Sequence, residues 1–426
     1  MFKECIFVLK PLTKALSGDK FKLTKSKISL IEKEKKTMKF GVLKDIKVGE
    51  YRVIATPAEV GAIVGDGHEV YVASNAGAAA GFPDEEYAAA GATILATNEE
   101  IWATCDFVAK VKEIEASEYD LMREGQYIYT CIHPAGHREE VDALLEKKVI
   151  SITAEDSHRY GSPNCEAAGK GGAFMGLWAM CSTNGGCGKF VSGLGAAPGI
   201  KALVCGCGTV GKGAIEVLVT MGAWVTVADI NIGALRDIAT KYDGRVNTII
   251  SNKYNIAKEL PTTDLVVNCV RWPKNATEPM ISREMVRSMR RGSVIVDVSN
   301  DIGCIDTFHE TTHEDPIYIE EGVVHYCVSN IPGAFAGSTS QAYAAGVLHH
   351  FRNIMNLGLE EACVRDGFLR RSLTTYKGYL THEETSGIQN RPWVKPEVIL
   401  GIADRQLDYA PAPTVTKSDY FYDEFK

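Results

Sequence analysis

The segment KALVCGCGTVGKGAIEVLVTMGAWVTVADIN, which begins at Lys201, constrains the fold of this chain more than any other stretch. Lys201 to Cys205 read as a buried strand. Gly206, Gly208 and Gly211 follow as G-x-G-x-x-G, a helix is expected to about Met221, and WVTVAD supplies a second strand ending in Asp229. Glycines placed between a strand and a helix meet three steric needs: a tight turn, close approach of a ligand to the backbone, and close packing of helix on strand. The helix N-terminus then offers unpaired N–H groups to an anion. Three glycines alone are a weak signal. The strand–turn–helix context, with an acid roughly 20 residues further on, makes the pattern specific.

This is the dinucleotide-binding pattern of a Rossmann domain, and its cofactor is read as NAD. Asp229 is placed to accept hydrogen bonds from ribose hydroxyls and to repel a 2′-phosphate, and INIGA after it offers no Arg or Lys to hold one. Later strands are expected in DLVVNCV (264–270), SVIVDVS (293–299) and VVHYCVS (323–329). Ligands of such sheets gather at the carboxyl ends of the strands. That rule puts Arg271, Asn300, Asp301 and Asn330 at the cofactor rim.

Upstream, MKFGVLK, HEVYVAS, ATILAT, FVAKVK, YIYTCIH and VISIT look like short strands separated by helical or turn segments, including a helix over about Pro57 to Val64. Such alternation points to a parallel α/β sheet. CEAAGKGGAFMGLWAMCS is expected as a buried connecting helix. After about Thr339 the chain turns helical and then runs into a loop-rich tail. The fold class that follows is α/β with two domains. One is a Rossmann NAD-binding domain (166–339). The other is a discontinuous Rossmann-like substrate domain, made of 38–165 and completed by 340–426. Residues 1–37, Lys-rich and without a clear period, are expected to be a disordered or spurious extension ahead of Met38.

Composition narrows the function. The 46 Lys+Arg against 54 Asp+Glu give a net charge of −8, which disfavours a nucleic-acid surface. No stretch approaches the roughly 18 apolar residues of a spanning helix, so no membrane role is expected. The twelve cysteines are scattered, which suits reduced thiols in a cytoplasmic protein.

Four polar residues sit at strand ends where a cleft between two α/β domains would form: Arg52, Lys112, His133 and Asp301. Amino-acid dehydrogenation needs a cation for the carboxylate and a positioned acid/base, and Arg offers a bidentate, permanently charged fork. Each has a duller reading. Arg52 and Lys112 could be surface charges, His133 a hydrogen-bonded structural residue, and Asp301 a turn cap. His133 and His137, four apart, flank a PAG turn with no obvious third ligand, so no metal is expected there. His349 and His350 read as part of a solvated helix face.

The surroundings of these residues resemble the alanine dehydrogenase and transhydrogenase-domain family. The matching pieces run in order from Met38 to about Leu400: GVLKDIKVGEYRVIATP, GHEVYVASNAG, VAKVKE, GQYIYTCIH, CGCGTVGKGA with VADIN, VIVDVSNDIGC and HYCVSNIPGAFAGSTS. The resemblance implies that Arg52 and Lys112 hold the substrate carboxylate and carbonyl, with His133 as acid/base and Asp301 as its partner across the cofactor. It implies cofactor contacts at Cys165, Val210, Gly211, Asp229, Ser251, Val270 and Asn330, alongside the turn glycines Gly206 and Gly208. It also implies a homo-oligomer, usually a hexamer, acting on small amino-acid and keto-acid substrates.

Four departures stand out: Pro134 after the histidine, Asn164 where Met is usual, Arg271 where an apolar residue is usual, and His309 in place of Arg. They would make the pocket more polar than a methyl side chain needs. HP after a strand also resembles carboxyethyl-ornithine synthase. An opine-type or saccharopine-type reductase therefore stands beside alanine dehydrogenase, as do a transhydrogenase subunit and, in another class, a non-catalytic NAD(H) sensor. Every family motif begins at Met38, so a chain starting there should fold and turn over like the full one. Loss of soluble expression or a large fall in melting temperature would show instead that residues 1–37 are docked.

Overall fold

A computed structural model describes residues 37–273, 276–412 and 416–426. The expectation for the N-terminal extension lies outside the described residues. Among the described residues, fifteen strands form two sheets. The first contains β1 (Lys39–Val42), β2 (Glu69–Ala73), β3 (Thr93–Leu95), β4 (Phe107–Ala109), β5 (Tyr127–Thr130), β6 (Ile150–Thr153), β14 (Leu373–Tyr376) and β15 (Tyr379–Leu380). The second contains β7 (Lys201–Cys205), β8 (Trp224–Asp229), β9 (Val246–Ile250), β10 (Leu265–Asn268), β11 (Val294–Asp297), β12 (Ile317–Glu320) and β13 (Val323–Tyr326).

Read across each sheet, the first six strands follow one order. It is β3-β2-β1-β4-β5-β6 in the first sheet and β9-β8-β7-β10-β11-β13 in the second, all parallel. This is the doubly wound 3-2-1-4-5-6 order. Each sheet then adds antiparallel strands at one edge: β14 on β6 with β15 beyond it, and β12 on β13. The order reverses between β1 and β4, and again between β7 and β10. Ligands bind in the crevices outside those strand ends.

Two helices carry the chain between the sheets. Helix Pro163–Ala179 is almost without large side chains on its packed faces. A Cβ on Gly169 would lie 1.8 Å from the Val210 carbonyl oxygen, and one on Gly213 would lie 2.6 Å from that of Glu166. Gly172 and Gly176 likewise admit Val298, Val296 and Leu265. The helix therefore seats directly on the glycine turn's own helix, Thr209–Thr220, and on the second sheet. The return helix Ala336–Leu357 packs on the first sheet, where Phe351 contacts Phe40, Phe107 and Tyr129 edge-on or tilted, with centroids 4.9–5.6 Å apart.

The tail differs from the loop-rich segment expected. Leu373–Tyr376 is buried between β6 and β15 and completes the first sheet. The return helix starts at Ala336, ahead of the expected Thr339. The reading of His349–His350 as a solvated face is corrected as well. His349 is exposed, but His350 is fully buried, with Nε2 3.2 Å from the Ser157 carbonyl oxygen.

Replacing Gly169 with Ala should force the two helices apart. Overpacking of this kind costs about 1–3 kcal/mol. The expected result is a lower melting temperature together with a raised KM for NAD, because the displaced atom belongs to Val210 in the nucleotide turn.

Candidate active site

Both switch points open into one region. A cleft of about 390 Å³ is lined by Arg52, Lys112 and His133 from the first sheet and by Asp301 and Asn330 from the second, with Cys165, Asn164 and Val210 between them. A neighbouring pocket of about 670 Å³ is lined by Gly206, Gly208, Asp229, Ser251 and Val270. Cys269 and Arg271 line both.

The catalytic, substrate and cofactor positions named from the sequence thus come together, except Gly211 and Asn300. Gly211 lines neither pocket. A Cβ there would lie 1.9 Å from the Gly206 carbonyl oxygen, so this glycine serves the packing of helix on turn. Gly206 takes φ +87°, which a side chain would strain, whereas a Cβ on Gly208 meets nothing within 4 Å and would project into open space. That open space beside the first amides of Thr209–Thr220 suits a pyrophosphate. Asp229 accepts N–H bonds from Cys207 and Asn231, both at 2.7 Å. It is half-buried, and these backbone donors outweigh burial in holding its carboxyl below the usual range. Asp229 thereby fixes the turn and keeps a negative charge in the pocket lined by the turn glycines. Lys253, at the same pocket, is paired with Glu278 at 2.9 Å.

Arg52 is buried, and its fork is already engaged by neighbouring side chains. Nε donates to Glu50 Oε1 at 2.7 Å, Nη2 donates to Glu50 Oε2 and to Asn330 Oδ1 (3.0 Å), and Nη1 donates to Asn164 Oδ1 at 2.8 Å. A guanidinium carries five N–H donors, so one Nη1 hydrogen remains for a ligand. The bidentate edge belongs to Glu50. Burial pushes the Glu50 carboxyl up, but hydrogen bonding and charge from Arg52 outweigh it and hold it below the usual range.

Lys112 and His133 share an acidic neighbour. Glu113 Oε1 lies 2.8 Å from His133 Nδ1 and 3.7 Å from Lys112 Nζ, while Lys47 Nζ bonds Glu113 Oε2 at 2.9 Å. Burial alone would raise the Glu113 carboxyl. His133, Lys112 and Lys47 reverse that and hold it far below the usual range. His133 sits at φ +49°, and its N–H donates to Glu155 Oε1 at 2.6 Å. Burial lowers its pKa, but Glu155 and then Glu113 raise it, leaving the ring more basic than an ordinary histidine. The other oxygen of Glu155 is buried without a hydrogen-bond partner. By contrast, Lys110 is a structural cation, buried against Glu118 at 2.7 Å. Asp301 accepts the Trp272 N–H at 2.7 Å, which ties the ends of β10 and β11 together.

The four departures take ordinary places. Asn164 is bonded to Arg52. Arg271 turns largely outward and meets Glu384 at 2.6 Å. The Pro134 carbonyl accepts from Gln389 Nε2 at 2.7 Å. His309 stacks on Tyr318, with centroids 3.5 Å apart, and is not among the residues lining the cleft. Sequence reading missed Glu50, Glu113 and Glu155. Isolated acids beside an Arg, a Lys or a turn look like surface residues until their long-range partners are known.

Two family models match the chain. "Alanine dehydrogenase/PNT, N-terminal domain" covers residues 41–162, and "Alanine dehydrogenase/PNT, C-terminal domain" covers 173–383. The chain belongs to the alanine dehydrogenase/PNT family. Among proteins of this family, alanine dehydrogenase of Methanococcus maripaludis is 38% identical over 371 residues, which is 85% of this chain and 100% of that one. Alanine dehydrogenase 2 of Staphylococcus aureus is 37% identical over 354 residues, covering 81% and 95%. A solved L-alanine dehydrogenase superposes with a TM-score of 0.77 at 33% identity, covering 83% of this chain and 99% of that one. The glycine cradle and Asp229 fit the NAD used across the alanine dehydrogenase/PNT family. Kinetics with both cofactors should favour NAD, and Asp229→Ala should narrow that preference. Equal efficiency with NADP in the unaltered protein would contradict this role for Asp229.

Proposed function

We propose that the protein is an NAD-dependent L-alanine dehydrogenase. It would convert L-alanine, NAD and water to pyruvate, ammonium, NADH and a proton. The observation that carries this reading is one cleft lined by Arg52, Lys112 and His133 from the first sheet and by Asp301 and Asn330 from the second. NAD, when bound, supplies the acceptor for the hydride leaving the substrate Cα.

The remaining chemistry falls to this chain. The Arg52–Glu50 pair is neutral as a unit. In our reading the Lys47–Lys112–Glu113 cluster, two lysines on one carboxylate, keeps a net positive charge that Lys112 presents to the substrate carboxylate, and the last Arg52 N–H orients it. Lys112 also polarises the carbonyl as it forms. His133 takes the proton of the attacking water and returns one to the departing amine. The unpaired Glu155 oxygen is an acceptor suited to the substrate ammonium. Asp301 faces His133 from the cofactor side, and Cys165, Val210, Ser251, Val270 and Asn330 would contact the cofactor.

Both unusual polar residues near the substrate already have partners, Asn164 on Arg52 and Arg271 on Glu384. A methyl side chain therefore leaves no amide or guanidinium stranded, which favours alanine over a larger polar amine. The proposal includes a cytoplasmic homo-oligomer, a hexamer by family expectation. Free thiols at every cysteine among the described residues suit a reducing compartment. No helix among the described residues is long and apolar enough to cross a membrane.

Steady-state kinetics test the reading. Pyruvate with ammonium should outperform pyruvate with ornithine or lysine, and the reverse order would favour the opine-type reductase. His133→Ala should lose about 10²–10⁴-fold in turnover while still binding NADH by fluorescence. Because Glu155 and Glu113 raise the His133 pKa, alanine oxidation, which needs the neutral ring, should gain its basic form above the usual histidine range. Glu113→Gln should move that limb to lower pH. A mutant His133→Ala within a few-fold of the parent would make the residue structural.

A further inference from the structure

Away from the cleft, three ligand-type side chains converge where the return helix passes the turn before helix Gly367–Arg371. The donor atoms of His349, His350 and Asp366 all lie within 4.8 Å of one another. His349 Nε2 is 3.7 Å from Asp366 Oδ2, and His350 Nδ1 is 3.3 Å from the same oxygen. His350 Nε2 faces the Ser157 carbonyl at 3.2 Å. A carbonyl only accepts, so that nitrogen carries the hydrogen. In the neutral ring Nδ1 is then a buried lone pair aimed at the Asp366 carboxylate oxygen. Two acceptors opposed at this distance repel unless a cation stands between them.

We propose that this cluster binds a divalent transition-metal ion of the zinc class through His349 Nε2, His350 Nδ1 and Asp366 Oδ2. The surrounding hydrogen bonds orient each donor in the way metal ligands are ordinarily held. His350 gives its other N–H to Ser157, and His349 is hydrogen-bonded to the backbone at Gly346. Metal-binding histidines characteristically donate the second ring N–H to such carbonyls. Asp366 Oδ1 accepts the N–H groups of Phe368 (2.9 Å) and Leu369 (3.3 Å), which leaves Oδ2 for the ion.

Two imidazoles and one carboxylate select zinc-like ions over magnesium or calcium, which take oxygen ligands. His349 is exposed, so the fourth position is open to water, as in three-ligand zinc sites. The nearby Arg159 guanidinium, 3.5 Å from Asp366 Oδ1, is engaged by Asp408 at 2.6 Å. The carboxylates of Asp366 and Asp408 together outweigh its charge. An ion here ties the return helix to the chain at Asp366 and, through the Ser157 carbonyl, to the segment that follows β6.

The test uses the full chain stripped with a chelator and titrated with Co²⁺, followed by its visible absorption, and with Zn²⁺ in competition. The parent should bind one ion more per chain than His349→Ala. Alternatively, the variant's affinity should fall by more than the roughly 10–100-fold that loss of an outer-shell partner costs. Zn²⁺ should raise the melting temperature of the parent and not that of the variant. Turnover of the stripped proteins should be the same, since His349 lies outside the cleft lining. Asp366→Asn keeps a helix-capping oxygen but removes the charge that also meets Arg159, whereas His349→Ala alters an exposed side chain. Equal binding by parent and variant would assign the ions to cysteines elsewhere and overturn the proposal. Absence of binding by the parent would overturn it too, with a proton bridging His350 and Asp366 instead.

Discussion

The cleft depends on the buried Arg52–Glu50 pair. Both side chains are almost fully withdrawn from solvent, and such a pair is expensive to desolvate unless its remaining donors and acceptors are met. Here they are met from both halves of the molecule. Asn330, at the end of the second sheet, accepts from Arg52 and donates to Glu50 and to the Gly49 carbonyl, while Asn164 closes the set from the connecting helix. The pair holds the ends of two sheets and a helix in one hydrogen-bonded network. Its neutrality as a unit hands the charge of substrate recognition to Lys112.

A second, more polar cluster is built beside it on the other side of the first sheet's switch point. Glu113 gathers His133, Lys112 and Lys47. Its carboxylate is a fixed anion, and it sets both the orientation and the basicity of the imidazole. The left-handed backbone at His133 adds to this. The ring is presented at the end of β5 by a conformation that few residues accept, held by the short bond from its N–H to Glu155.

Much of this was legible in the sequence, for identifiable reasons. Strands such as LVVN, VIVD and VVHY are mostly apolar and buried at every residue because both faces of a parallel sheet are covered. The nucleotide turn was legible because sterics leave glycine no substitute at Gly206 and Gly211. Strands β9, β12 and β14 escaped detection. β9 (VNTII) is mostly solvent-facing, β12 is only partly covered, and β14 (LTTY) is buried yet rich in threonine, whose hydroxyls bond nearby backbone or Ser151. The acids around the catalytic candidates, and His350, were misread or passed over for a common reason. Glu50 lies two residues from Arg52, but the partners that draw these groups into the interior are far away in sequence: Asn330 is 280 positions from Glu50 and Ser157 is 193 from His350. No local pattern records such a pairing.

The contact between Gly169 and Val210 has a mechanical consequence. Because the connecting helix touches the nucleotide turn backbone to backbone, with no side chain between to yield, the two move as one piece. Any swivel between the sheets must therefore be taken up outside that helix, in the short loop from Ser157 to Ser162 and where the chain re-enters at Phe335. A shift of the turn by a bound dinucleotide is then delivered along a rigid strut to Asn164 at its far end, and so to the guanidinium that awaits the substrate. The smallest side chain in the repertoire acts here as the coupling pin of a lever.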